Sequence, residues 1–181
     1  LVTVLSNPFT IFHGIPDNLV YFIEPIDGNT DQVINFNNPS EQDPNGEGIV
    51  IHLKDQHENM ITDTNDQRWV TMTIEDDASK SVDTPTLSGV MTNQTSLGIV
   101  KFLDLNIDKS SRTTSAGGAY HPDEPYTLNA YAYDSANDPI VNPNKESAGF
   151  VIDHGAVYKV VYLPHPDTAE IFGNNATIAG V

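Results

Sequence analysis

The stretch "NLVYFIE", residues 18–24, alternates its apolar side chains between two faces, as a half-buried β-strand does. Leu19, Tyr21 and Ile23 fall on one face, and the two apolar residues between them fall on the other. The 3.6-residue periodicity of an amphipathic helix is hard to find anywhere in the chain. We therefore expect a fold made of β-strands, with this stretch as one of them.

The same alternation recurs in both directions from this stretch, between turns rich in Gly, Pro, Asn and Asp. The further predicted strands are "GIVIHL" at 48–53, "RWVTMTI" at 68–74, "GIVKFLDLNI" at 98–107, "PYTLNAYAYD" at 125–134, "AGFVID" at 148–153 and "AVYKVVYL" at 156–163. Seven or more short strands of this kind predict a β-sandwich, in which two sheets bury their inner faces against each other. A closed barrel is the alternative.

Part of the sequence occurs twice. "SNPFTIFHGIPDNLVYFIEP" at 6–25 and "SAGFVIDHGAVYKVVYLPHP" at 147–166 align without a gap, and eight of the twenty positions are identical. Unrelated segments would share about one residue in twenty on ordinary residue usage. Such self-similarity is typical of a repeat array.

The offset between the two copies is 141 residues, whereas solenoid units run roughly 20–50 residues and cannot bury a core alone. Each repeat is therefore predicted to be a domain of its own. On this division residues 1–14 are the last strand of a preceding repeat, or a donor strand. Residues 15–155 form one complete repeat, and residues 156–181 begin the following one.

The order and spacing of the strands resemble those of a known family. "LVYFIEP", "VIHLKDQHENMITD", "WVTMTI", "TLSGVMT", "GIVKFLDLNIDK", "YTLNAYA" and "SAGFVI" follow one another as in bacterial immunoglobulin-like repeats. Those modules are strung in tandem through large surface adhesins, surface-layer proteins and secreted fibres. The resemblance covers residues 18–152 and begins again at residue 156. It implies an immunoglobulin-like β-sandwich at the cell surface.

Two motifs test this resemblance most closely. The run from Gly98 to Lys109 is similar to the family pattern "G-x-A-x-F-x-x-L-x-I-x-K". In the family a strand is followed by Asp and then a Gly-Asn turn. Asp55 and Asn59 match that pattern, but Glu58 stands where the family has glycine.

The chain departs from the family in one long insertion. Family members pass from the Lys109 position to the "Y-T-L" strand in a few residues, whereas "SSRTTSAGGAYHPDEP", residues 110–125, intervenes here. Ser, Thr, Gly and Pro contribute little core, so we expect a long surface loop. Its candidate interaction residues are Arg112, Tyr120 and Asp123, of which the arginine can pair with a carboxylate on a neighbouring repeat. A tolerated insertion without a role is the alternative.

Charge limits the partners. The net charge is −17, with a pI near 4.3, so the surface would repel a phosphate backbone and we expect no nucleic-acid partner. No run of about 18 apolar residues occurs, which predicts no membrane span. The absence of cysteine excludes disulfides and thiolate metal sites. The predicted partners are copies of the chain or adjacent repeats.

The nucleophiles and histidines of the chain form no catalytic motif. The chain has no G-x-S-x-G or phosphate-binding loop, and its six histidines have no recognisable zinc spacing. His13 and His154 hold the same position in the two repeated stretches, which favours a junction role. Trp69, the single tryptophan, is interpreted as a packing residue, with a sugar-binding platform as the alternative. We predict no enzymatic activity and no catalytic residues.

Calcium is the one cofactor that the sequence suggests. Side-chain oxygens at alternate positions of a turn can gather around a hard cation. The candidate ligands are Asp27, Asn29, Asp31, Asp43, Asn45 and Glu47. Ordinary Asp and Asn turn chemistry explains these clusters equally well. Two Asn-x-Thr triplets make Asn93 and Asn175 candidate glycosylation sites.

Together these features predict a non-catalytic structural or adhesive repeat of an extracellular surface filament, surface layer or giant adhesin. One alternative is a separate filament subunit whose terminal segments complete a neighbour's sheet by donor-strand exchange. Another alternative is a carbohydrate-binding module of a larger secreted enzyme, which would require exposed aromatic side chains, Trp69 among them.

Overall fold

Short strands make up nearly all of the regular structure. The computed structural model describes residues 8, 10–35, 48–76, 84–111 and 125–153. The strands are β1 (Asn18–Ile23), β2 (Gly28–Asn29), β3 (Ile49–Lys54), β4 (Trp69–Asp76), β5 (Leu87–Ser88), β6 (Thr92–Gln94), β7 (Ile99–Phe102), β8 (Asn106–Ile107), β9 (Thr127–Tyr133), β10 (Pro139–Glu146) and β11 (Ile152–Asp153). In the described ranges the single helical element is a 3-10 turn at Thr64–Asp66. The all-β prediction is confirmed.

The main sheet has two halves that face each other. Its strand order is β6-β4-β9-β10-β1-β3-β7, and β10 joins β1 through one parallel pair, Asn18 with Asn142. Tyr21 of β1 reaches from one half to the other, where its hydroxyl donates to the Leu128 carbonyl of β9 at 3.1 Å. Burial raises the pKa of Tyr21, so the hydroxyl stays protonated as a donor. The architecture is therefore sandwich-like, with the core between the halves.

The predicted alternation decides which residues fill this core. Leu19 and Tyr21 of β1 are buried, as are Val70 and Met72 of β4, whereas Phe22 is half exposed on the outer side. Each buried residue is two positions from the next, as the period of a strand requires. The predicted face of the first strand is confirmed for Leu19 and Tyr21, whereas Ile23 is only half-buried beyond a register shift in the pairing of β1 with β3.

The stretch "GIVKFLDLNI" forms two strands rather than one. β7 pairs with β3 and β8 pairs with β5, so the chain changes partners between Leu103, which is exposed, and Leu105, which is buried. At the break the Asp104 carboxylate accepts a hydrogen bond from the Val90 amide at 2.9 Å. Leu105 accepts one from the Ile34 amide through its carbonyl at 2.7 Å. These contacts replace the strand pairing lost at the break.

Candidate functional site

The turn after β3 is organised by one buried carboxylate. Asp55 is 1% exposed, and its Oδ1 accepts hydrogen bonds from the amides of His57 at 2.8 Å and Asn59 at 2.9 Å. Its Oδ2 accepts from the Gly14 amide at 2.7 Å. One side chain therefore holds both its own turn and the segment that leads into β1.

These bonds also fix the charge of the carboxylate. The Gly14 amide contributes most to holding the pKa of Asp55 well below its usual range, and burial acts in the opposite direction. The side chain and amide of Asn59 and the amide of His57 lower the pKa further. Since hydrogen bonds from N–H groups favour the charged form, Asp55 is an anion over the whole neutral range.

Glu58, in this turn, adopts the backbone conformation that glycine favours. Its φ is +65°, in the left-handed region that costs a non-glycine residue energy. Its side chain accepts hydrogen bonds from Lys54 at 3.1 Å and Asn18 at 3.2 Å. The turn thus forms with a glutamate in a strained conformation.

Replacing Glu58 by glycine is expected to stabilise the protein. The gain is a rise of about 2 °C in Tm, because relief of the left-handed strain outweighs the larger chain entropy of glycine. Glu58→Ala is the matched control, since it removes the same surface contacts and keeps the strain. Thermal unfolding followed by circular dichroism measures both variants. A Tm for Glu58→Gly no higher than that of Glu58→Ala would contradict the expectation.

His13 also anchors the segment that precedes β1. Its Nδ1 lies 2.8 Å from the Gly14 carbonyl oxygen, and its Nε2 accepts a hydrogen bond from the Asp63 amide at 3.1 Å. Both contacts are satisfied by the neutral imidazole with its proton on Nδ1. The sequence favours a junction role for His13. Its contacts join the segment that precedes β1 to the loop that follows β3.

Two apolar side chains next to His13 lie outside the core. Ile11 is 81% exposed and Phe12 is 82% exposed. With His13, Met60 and Asp63 they line an open cleft of about 710 Å³. Burying such side chains is favourable, but the remaining lining of the cleft is mostly polar, so Ile11 and Phe12 are exposed apolar side chains in a mixed surface near the start of β1.

Three calcium candidates, Asp27, Asn29 and Asp31, are described by the structure, and they lie in or next to β2 and the turn that follows it. Asp27 Oδ1 accepts a hydrogen bond from the Val151 amide at 2.7 Å, and Asn29 donates to Gln32 at 3.0 Å. Asp31 has a φ of +61°. Within the described ranges no three His, Cys, Asp or Glu side chains are grouped to hold a metal. The other candidates, Asp43, Asn45 and Glu47, lie outside those ranges, and calcium binding stays a prediction.

The glycosylation and loop candidates fall mostly outside the described part of the chain. These are Asn175, Arg112, Tyr120 and Asp123. Asn93 is described; it is exposed in β6, and its side-chain nitrogen donates to the Lys101 carbonyl at 3.0 Å.

The two sides of the insertion are anchored close together. The Ser111 hydroxyl donates a hydrogen bond to the Ile152 carbonyl at 3.0 Å, and Tyr126 forms an antiparallel β-bridge with Phe150.

Trp69 lies on the outer face of the sheet rather than in the core, where it is partly exposed and partly packed against its neighbours. Its side chain is 37% exposed, whereas the next residue, Val70, is buried. Directly across on β9 is Tyr133, and Tyr131 follows two residues away on the same face. The sequence "PYTLNAYAYD" carries a signal for this face, because its alanines alternate with tyrosines: Ala130 and Ala132 are buried in the core, whereas Tyr131 and Tyr133 are only partly buried.

Comparison with known proteins does not identify a relative. No family model, no curated protein and no solved structure matches this chain. No helix in the described residues is long and apolar enough to cross a membrane. The resemblance to immunoglobulin-like repeats therefore rests on the sequence motifs alone.

Proposed function

We propose that this chain is a non-catalytic structural and adhesive repeat of an extracellular surface filament, surface layer or giant adhesin. In this proposal the repeats are covalently joined, and each one packs against the next through a short junction. The partners are adjacent repeats of the same parent chain. The all-β, sandwich-like fold is compatible with such a module, and fold alone does not assign the function.

One observation carries the proposal. Ile11 and Ile152 hold equivalent positions in the two repeated stretches, yet Ile152 is 1% exposed and Ile11 is 81% exposed. Ile152 belongs to the last strand of the described core. Packing of Ile11 in the core of a preceding repeat, as Ile152 packs in this one, would explain why the same apolar residue is exposed in one copy and buried in the other.

The junction contacts support a fixed arrangement of neighbouring repeats. Gly14 is bound to Asp55 and His13 is bound to Asp63, so the segment that would leave a preceding repeat is already attached to this one. The sequence "HG" recurs at 154–155 in the second copy. Only these two residues separate the predicted strands at 148–153 and 156–163. A linker this short does not let two neighbouring domains tumble independently.

The test has two measurements. Mass spectrometry of the intact native protein should give a parent chain that contains further 141-residue units, the period of the repeated stretch. Electron microscopy of two consecutive repeats should give a narrow distribution of interdomain angles. A native chain that ends near Val181 would contradict the tandem array and favour donor-strand exchange between separate subunits. Widely scattered angles would contradict the stiff junction.

A further inference from the structure

The outer face of β4 and β9 differs in composition from the rest of this acidic molecule. Cross-strand pairing puts Trp69 beside Tyr133, and Thr71 beside Tyr131. On the other side of β4, Gln94 and Thr92 of β6 pair with the same two positions. We call these six residues the aromatic face. None of them is charged, although the chain carries a net charge of −17.

The aromatic rings of this face are held in place by the strands beneath them. The rings of Tyr131 and Tyr133 lie 5.9 Å apart between centroids, with 31° between their planes. The pairing of β4 with β9 runs in unbroken register from Trp69 to Ile74. Side chains mounted on paired strands lose little freedom when a ligand binds. The face is therefore preorganised for contact with a flat ligand.

Hydroxyl groups surround the rings and are already linked. Thr71 Oγ1 lies 2.9 Å from Thr92 Oγ1 and 3.3 Å from the Tyr133 hydroxyl. Next to Tyr131, the side chain of Asn129 donates to that of Asn144 at 3.1 Å. Each hydroxyl can act as donor and acceptor, and each amide offers both functions. The rim of the face therefore offers hydrogen bonds of both kinds, and it borders one charged residue, Glu146, which pairs with Asn129.

We infer that the aromatic face binds neutral carbohydrate, with pyranose rings stacked on Trp69, Tyr131 and Tyr133. A pyranose ring has one face of C–H groups that suits the negative face of an aromatic ring, and a rim of hydroxyls that need donors and acceptors. An uncharged site on a strongly acidic surface selects against anionic ligands. The inference extends the proposed adhesive role by naming the class of its target.

The opposite outer surface provides a matched control. Phe22 is 50% exposed there, and its ring stacks on His52 at 4.5 Å between centroids. His52 is followed two residues later by Lys54 on the same strand. That surface sets its exposed aromatic ring beside a histidine and a lysine instead of further aromatic rings and threonine hydroxyls, so Phe22→Ala should leave carbohydrate binding unchanged.

The test is native gel electrophoresis of the full 181-residue chain in gels that contain a soluble polysaccharide. The acidic chain migrates to the anode unaided. The neutral probes are hydroxyethyl cellulose, galactomannan and dextran, and alginate is the anionic comparison. We expect retardation by at least one neutral probe and none by alginate.

The variants identify the surface responsible. Trp69→Ala and Tyr131→Ala should each weaken the affinity about tenfold, the change expected when one stacking contact is lost. Trp69→Tyr should retain part of the affinity, and it covers the case in which the alanine variant does not fold. Melting temperatures establish that each variant is folded.

Two results would overturn the inference. One is the absence of retardation by every neutral probe, and the other is retardation that Trp69→Ala and Tyr131→Ala leave unchanged. Because the assay uses a single chain, its failure leaves the tandem-repeat proposal to be decided by the mass of the parent chain and the interdomain angles.

Discussion

Replacing Ile152 by alanine is expected to lower the free energy of unfolding by about 2–5 kcal/mol, as for other large-to-small changes in a packed core. Ile152 is 1% exposed and belongs to the main hydrophobic core. It also pairs with Gly28 in β2, so the surrounding backbone has little freedom to close the cavity. Urea unfolding followed by tryptophan fluorescence measures the loss through the shift of the midpoint.

The repeated stretch supplies a control for this substitution at the equivalent position. Ile11→Ala should change the free energy of unfolding of this chain by no more than about 0.5 kcal/mol, because the side chain is exposed. In a longer chain that includes the preceding repeat, the same change should cost about 2–5 kcal/mol. A small effect in the longer chain would contradict the tandem array, because Ile11 would then close no core.

Replacing Asp55 by alanine is expected to lower Tm by about 10 °C, since three amide groups lose their acceptor together. The amides belong to Gly14, His57 and Asn59. The turn after β3 and the segment leading into β1 would loosen at once. Differential scanning calorimetry at pH 7 is the measurement. Asp104→Ala is the control for loss of an exposed loop carboxylate with one amide partner, and its effect should be clearly smaller.

Asp55 also makes stability depend on pH. Its pKa is lower in the folded protein than in the unfolded chain, chiefly because of the Gly14 amide. The stabilisation is therefore present above about pH 4, the ordinary range of an aspartate, and is lost as the pH falls toward the folded value. The difference in Tm between the parent protein and Asp55→Asn should narrow between about pH 5 and pH 2. A difference that stays constant over this range would contradict the assignment.

The sequence alone predicts the central strands well because their burial is one-sided. In β1 and β4 each apolar residue that faces the core is followed by one that does not, and this alternation is visible without a structure.

The sequence does not predict β10, because that strand lacks such an alternation. It begins at Pro139, contains Pro143 and fully buries only Ile140, so it carries no alternation and two residues that disfavour a strand.

The same difference between local patterns and long-range contacts applies to Asp55 and Trp69. Asp55 matches a local motif, but its bond to Gly14 joins residues 41 positions apart, and only the folded chain brings them together. A lone large aromatic residue such as Trp69 is usually buried, so the sequence favours a packing role for it. The structure places it on an outer face that it shares with Tyr131 and Tyr133 of a distant strand. Local patterns therefore predict strands, whereas surfaces assembled from several strands need the structure.

Tension between the two ends of the described chain would act on strands that run parallel. β1 and β2, near one end, pair in parallel with β10 and β11, near the other. The Asn142 amide bonds to the Asp17 carbonyl at 2.7 Å, and the Thr30 amide bonds to that of Asp153 at 2.9 Å. Pulling the ends apart slides parallel neighbours along each other, so these bonds carry the force together in shear. A hairpin pulled open at its ends would instead lose its bonds one after another.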